Sequence, residues 1–280
     1  MRKTQIWDHV ILLAGVFFMV TPVVLAFLTS THDAITIYKE GIQFAPGGKF
    51  LENYETVLFQ AGGFTKEVDG FVMLKNSLIL GLGFAIGKII ISMLAAYAIV
   101  YFRFPMATLC FWVIFATLLL PLEVRILPSY EIVQKLGMVN TYSGLIVPLI
   151  ASATGTFFFR QFFLSVPDEL LEAARIDGAG PWKFFKDILV PLSQTMIAAI
   201  FIIMFVYGWN QYLWPTLITT DESLFTLVRG IKQILQVWVG AQIPAFNEAM
   251  ALAILAIVPP VLIVVVFQSW FVKGLVESDK

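Results

Sequence analysis

The chain of 280 residues contains one cysteine, Cys110, and two histidines, His9 and His32. A lone thiol inside an apolar run forms no intrachain disulfide, so cysteine usage is silent on redox compartment. The two histidines stand at opposite ends of one apolar stretch with no cysteine beside them, which argues against a histidine-based metal site or a catalytic triad. Charged residues are scarce at 13%, and the formal charge of −1 leaves no basic excess to hold nucleic acid. A Walker phosphate loop is also missing. Gly81 to Lys88 reads GLGFAIGK, but position 82 is Leu where G-x-x-x-x-G-K needs Gly, and Ile89 replaces the Ser or Thr. Any ATP that drives this protein, with its Mg, is therefore held by another polypeptide, and no cofactor or metal is expected in this chain.

What remains is apolar: 59% of residues, with a mean hydropathy of +0.86, far from the roughly even apolar share of soluble domains. Six stretches, 10–28, 77–101, 106–122, 142–159, 195–217 and 249–272, have the roughly 20-residue length that crosses a bilayer as a helix. The expected fold is an all-α polytopic membrane protein, one transmembrane domain over residues 1–280. The first stretch follows Arg2 and Lys3, is longer than the core of a signal peptide and lacks a clean cleavage site, so it reads as an uncleaved anchor.

Lys and Arg give the orientation. The N-terminus, 102–105, 160–194 and the C-terminal tail hold nine basic residues in 56, against eight in 98 for the segments between the other span ends. The denser set is expected in the cytoplasm, with both termini inside. The external segments would be 29–76, a solvated loop with room for short helices; 123–141, with a helical turn or two over Pro128–Leu136; and 218–248, with an amphipathic stretch from Leu224 to Val237.

The longest polar insertion between spans, Ser165 to Leu192, falls on the cytoplasmic side. Ser165 and Asp168 have capping-box spacing and Pro167 suits a first helical turn, so one short helix is expected there. Gly178 offers a positive φ, and Trp182–Leu189 form a second helix ending at Pro191. Glu172 precedes Arg175 by three residues and Lys183 precedes Asp187 by four, while Ala173 and Ala174 keep one side flat. A solvated loop with ordinary surface pairs and a knob that enters a partner's groove both fit this pattern.

Within the spans, Gly83-x-x-x-Gly87 leaves a groove for a neighbouring helix. Lys88 sits near mid-span, where a cation is costly unless it faces a cavity, snorkels or pairs with a partner. Trp209, Asn210 and Gln211 lie in GWNQYLWP near the external end of span five. The aromatics fit an interfacial belt, but the amides need polar partners and fit a path for a polar solute. Pro259-Pro260 breaks span six as a gate or a kink.

Glu172-Ala173-Ala174, then Asp177-Gly178, then Ile188, Pro191 and Leu192, resemble the EAA loop of ABC importer permeases. Asn76-Ser77, AYAIVYFRFP at Ala96–Pro105, LPLEVRILP at Leu120–Pro128, YGWNQYLWP and the terminal FVKGLVESDK extend the likeness to carbohydrate-type members over nearly the whole chain. The resemblance implies a six-helix inner-membrane subunit that is no enzyme itself. It pairs with a similar A-type permease, grips a homodimeric cytoplasmic ATPase through Glu172, Ala173, Ala174, Asp177 and Gly178, and receives solute from an external binding protein. It further implies sn-glycerol-3-phosphate as the solute, with Lys88 and Arg125 as the cations a phosphate would meet. Arg125 also has Glu123 within reach as a pairing partner. Another sugar or polyol of the same family is the alternative. An ion-coupled secondary carrier would leave the Ser165–Leu192 insertion unused and shows no internal repeat.

Overall fold

A helix that is apolar all round has no aqueous face, and the three longest helices are of this kind: Lys3–Ser30, Gly70–Tyr101 and Phe246–Glu277. The stretches able to span lipid within them are Ile6–Ser30, Gly70–Tyr101 and Phe246–Gln268. Each exceeds the ~30 Å of a hydrocarbon core at ~1.5 Å per residue. The structure, a computed structural model, describes the backbone of residues 3–60, 68–102, 104–236 and 243–277; side chains at 3–5, 122, 123, 235, 236, 269 and 271–277 fall outside that description. Among the described residues there is no strand, and the all-α class stands.

The other three expected spans are not straight rods. Ala107–Leu119 turns by 108° into Val124–Lys135, Tyr142–Leu149 by 49° into Ala153–Ser165, and Pro181–Leu192 by 74° into Gln194–Trp209. Local chemistry explains the bends. Thr117–Leu119 tightens into a 3₁₀ turn before Pro121, which lacks the N–H to continue. Pro148 sits in a second such turn, and Ser152 then restarts the chain, its Oγ accepting from Gly155 N at 3.1 Å. The fifth span, expected over 195–217, ends at Trp209 and resumes as a separate helix, Leu213–Ile218. Conversely, the helix through Pro259-Pro260 is unbroken, and the second span begins at Gly70 rather than Ser77.

The chain gathers into two compact units, Met1–Asn76 with Asp221–Pro259, and Ser77–Thr220 with Pro260–Lys280. In the first, two short helices, Ala34–Glu40 and Phe50–Phe59, take up the room for short helices that the sequence leaves in 29–76. Asp33 caps the former, accepting from Thr36 N at 2.9 Å, and that bond holds its carboxyl below the usual range. Asn53 is buried and clamps the end of the first span, its Nδ2 donating to Ser30 O and His32 O, both at 2.8 Å. Asn247 Nδ2 donates in turn to Asn53 Oδ1 at 3.0 Å. Asn76 closes the unit, donating to Ser223 O and Phe225 O. The amphipathic stretch forms a helix over Leu227–Gln236; Val237, and in the 29–76 segment the glycine pair Gly62-Gly63 that suits a loop, lie outside the described residues.

In the second unit the glycine face of Gly70–Tyr101 is filled as its spacing suggests. A Cβ on Gly83 would meet Ile146 and one on Gly87 would meet Ile150, so the bent fourth span lies directly on this groove. Trp214, fully buried, donates its indole N–H to Gly144 O and Leu145 O at 3.2 Å. It anchors the Leu213–Ile218 helix in a core with Leu80, Ile126, Val133 and Leu145.

Candidate functional site

Each break in a span frees backbone groups and opens space beside it, and the second unit holds a cavity of about 580 Å³ at these places, a volume typical of small-molecule sites. Lys88 enters from the long second helix, Arg125 from Leu122–Lys135, and Gln211 from the interruption after Trp209. Lys88 Nζ donates to Ala151 O at 3.2 Å and lies 4.4 Å from the centre of the Phe84 ring. Both are weak anchors for a cation: one neutral carbonyl and one ring face. No carboxylate belongs to the lining among the described residues, so both cations add their field to the same space. The expected pairing of Arg125 with Glu123 involves a side chain outside the described residues.

Gln211 is the amide that borders the cavity, with Nε2 donating to Tyr207 O at 3.3 Å. Trp209 and Asn210 lie outside the lining. Trp209 is 1% exposed and stacks on Phe205 at 5.7 Å, while Asn210 caps its own helix through Nδ2 to Val206 O at 2.9 Å. The sequence reading missed a further part of the wall, where Ser152, Ala153 and Thr154 line the cavity at the start of the Ala153–Ser165 helix, next to the Ala151 carbonyl that accepts from Lys88. The signal was present, since a Ser followed by a small-residue run shortly after Pro148 marks a helix restart.

The insertion forms a helix, a glycine turn and a second helix. Asp168–Ile176 ends in a Schellman motif: Ala179 N donates to Ala174 O at 2.8 Å and Gly178 N to Arg175 O at 3.1 Å, with Gly178 at φ +74°. Glu172, Ala173, Asp177 and Gly178 are exposed and Ala174 is buried. Ile176 and Trp182 stand out from the surface at 86% and 65% exposure.

Three details differ from expectation. Ser165 closes the preceding helix, donating to Phe162 O at 2.7 Å, and caps nothing downstream. The second helix runs from Pro181 to Leu192 through Pro191, because the π turn Phe185–Leu189 places the proline at the start of a fresh α turn where no N–H is required. Neither Glu172–Arg175 nor Lys183–Asp187 forms an ion pair among the described residues, where the pair present is Lys49–Glu52 at 2.5 Å. Exposed pairs of that kind gain little whether formed or not, and Arg175 lies instead along a cleft shared with Asp168 and Tyr101.

The profile of one family, described as the binding-protein-dependent transport system inner membrane component, matches residues 88–277. The chain belongs to this family. As a permease it is also 50% identical over 274 residues, 97% of its length and 96% of the other's, to the sn-glycerol-3-phosphate transport system permease protein UgpE of Brucella melitensis. The proteins of the same name from Rhizobium meliloti and Salmonella typhi are 48% identical over 274 residues and 47% over 279. A crystal structure of a bacterial ABC transporter involved in the import of the acidic polysaccharide alginate contains a chain with the same fold, at TM-score 0.81 and 18% identity over 96% of this chain and 97% of that one. The permease is thus a multi-pass membrane subunit of a transport system, with the Ser165–Leu192 insertion inside the matched region.

Proposed function

We propose that this permease imports sn-glycerol-3-phosphate, acting as one transmembrane domain over its whole length. What carries the reading is the 50% identity, over 97% of the chain, to a permease named for that solute. The cavity supports it chemically. A phosphate monoester bears about −1.5 to −2 charges at neutral pH, and Lys88 and Arg125, with the helix start at Ser152–Thr154, offer complementary charge, with no acid among the described residues of the lining. Gln211 hydrogen-bonds the polyol end, while Trp209 and Asn210 shape the interruption that exposes it.

Transport then needs other chains. A second, similar A-type permease completes a heterodimer, an external binding protein delivers solute, and a cytoplasmic ATPase homodimer binds ATP and Mg. That ATPase closes on the Ser165–Leu192 insertion, the handle, through Glu172, Ala173, Ala174, Asp177 and Gly178, and its nucleotide state biases the permease between inward-open and outward-open forms. In proteoliposomes holding the whole complex, glycerol phosphate should be taken up well above neutral sugars; equal uptake of a neutral sugar would remove phosphate as the recognised group.

Both termini lie in the cytoplasm in this arrangement. In a Cys110→Ala background, Lys49→Cys and Lys232→Cys, both at exposed positions, should react with an impermeant thiol reagent from outside, and Lys183→Cys should not. The reverse labelling pattern would put the handle on the wrong side for an ATPase.

A further inference from the structure

We propose that Tyr97 is a positioning residue that transmits movement of the handle to the cavity wall. Its hydroxyl donates to Pro181 O at 2.8 Å, at the first residue of the second handle helix. Its ring packs on Phe185 at 5.0 Å, where the π turn begins. One helical turn on, Tyr101 repeats the arrangement against both neighbours: its hydroxyl donates to Phe163 O at 3.3 Å, and its ring meets Phe184 at 5.3 Å and Phe163 at 6.1 Å. The two tyrosines therefore join the end of the second span to the helix entering the handle and to the helix leaving it.

Nothing interrupts that second span. Between Tyr97 and Lys88 it contains no proline or glycine, and Lys88, Ile91 and Ala95 line the cavity from the same stretch. Nine residues of α-helix are ~14 Å of stiff rod. A shift of the Pro181–Leu192 helix pulls on Tyr97 through a directional hydrogen bond and a ring contact, and the rod delivers it to the wall carrying Lys88. The first handle helix, Asp168–Ile176, faces the span end across a cleft of about 210 Å³ lined by Val100, Tyr101, Asp168 and Arg175, whereas the second is tied to it by a hydrogen bond and ring contacts. The inference rests on the handle being the ATPase contact.

The test is the number of ATP molecules hydrolysed per glycerol phosphate imported by the reconstituted complex. Tyr97→Phe keeps the ring and removes the hydrogen bond, so complex yield and ATP hydrolysis should hold while the ratio rises about fivefold, the weight of one neutral hydrogen bond of ~1 kcal/mol. Tyr97→Leu should raise it further, and Tyr101→Phe less, its bond being longer. A normal ratio in Tyr97→Phe overturns the proposal, as does a fall in yield that matches the fall in coupling, because the tyrosine would then only pack. Glu172→Lys run in parallel separates the two levels. Coupling lost there but kept in Tyr97→Phe overturns the tyrosine link alone; normal coupling in both overturns the handle reading with it.

Discussion

Gly178→Val is expected to leave the permease inserted and paired with its sister subunit yet to lower import by about tenfold or more. A Cβ at this position would meet nothing within 4 Å, so the substitution creates no clash; its effect comes from φ +74°, which a β-branched residue avoids. Holding a non-glycine residue there costs ~1–3 kcal/mol, and the turn relieves it by giving up the bonds from Ala179 to Ala174 and from Gly178 to Arg175. The second handle helix is then re-aimed while the membrane core, distant from the turn, is untouched. Gly178→Ala should fall between the two. The measurements are co-purification of the ATPase and solute uptake; wild-type uptake by Gly178→Val would mean that the turn does not set the handle's geometry.

Lys88→Gln is the second large effect. A charge-assisted hydrogen bond to phosphate contributes ~1.5–3 kcal/mol, so kcat/KM for glycerol phosphate should drop roughly ten- to hundredfold while complex yield and basal ATP hydrolysis persist. Glutamine retains most of the volume and a side-chain N–H donor, so what it removes is chiefly the charge. Lys88→Arg should recover part of the activity. Should Lys88→Gln transport normally, or lose yield in step with transport, the lysine serves packing or the sister subunit instead of the solute.

Much of this was legible in the chain because its signals are local. The helix, turn and helix of the insertion declare themselves through Pro167, Gly178 and Pro181 without a distant partner, although those residues alone fit a solvated loop as well as a knob, and the glycine face at Gly83 and Gly87 predicts a close helix, which Ile146 and Ile150 provide. The bends were not legible as bends. An apolar window averages over Pro121, Pro148 and the Asn210–Tyr212 interruption, because hydropathy records how a residue partitions and not where a backbone bond is missing. For the same reason Gln211 and Asn210, adjacent and chemically alike, could not be told apart: one borders the cavity and the other folds back on its own helix end, a distinction made by the break between them. Tyr97 carried no signal at all, since an aromatic near a span end reads as an interfacial anchor until Pro181 is seen beside it.

The π turn at Phe185–Leu189 has a meaning for how this segment tolerates change in length. Such a turn amounts to one residue more than an α-helix of the same rise. Deleting a single residue there would close it into α geometry over the same rise, leaving Leu192 and all that follows facing as before, but would bring Pro191 into a helix interior where an N–H is needed. Substitutions along the outer side of the segment, at Lys186 or Asp187, leave that arithmetic unchanged. The π turn is accordingly a place where this segment absorbs the loss of one residue with its flanks in register, whereas a deletion in the α turns on either side would rotate all that follows by ~100°.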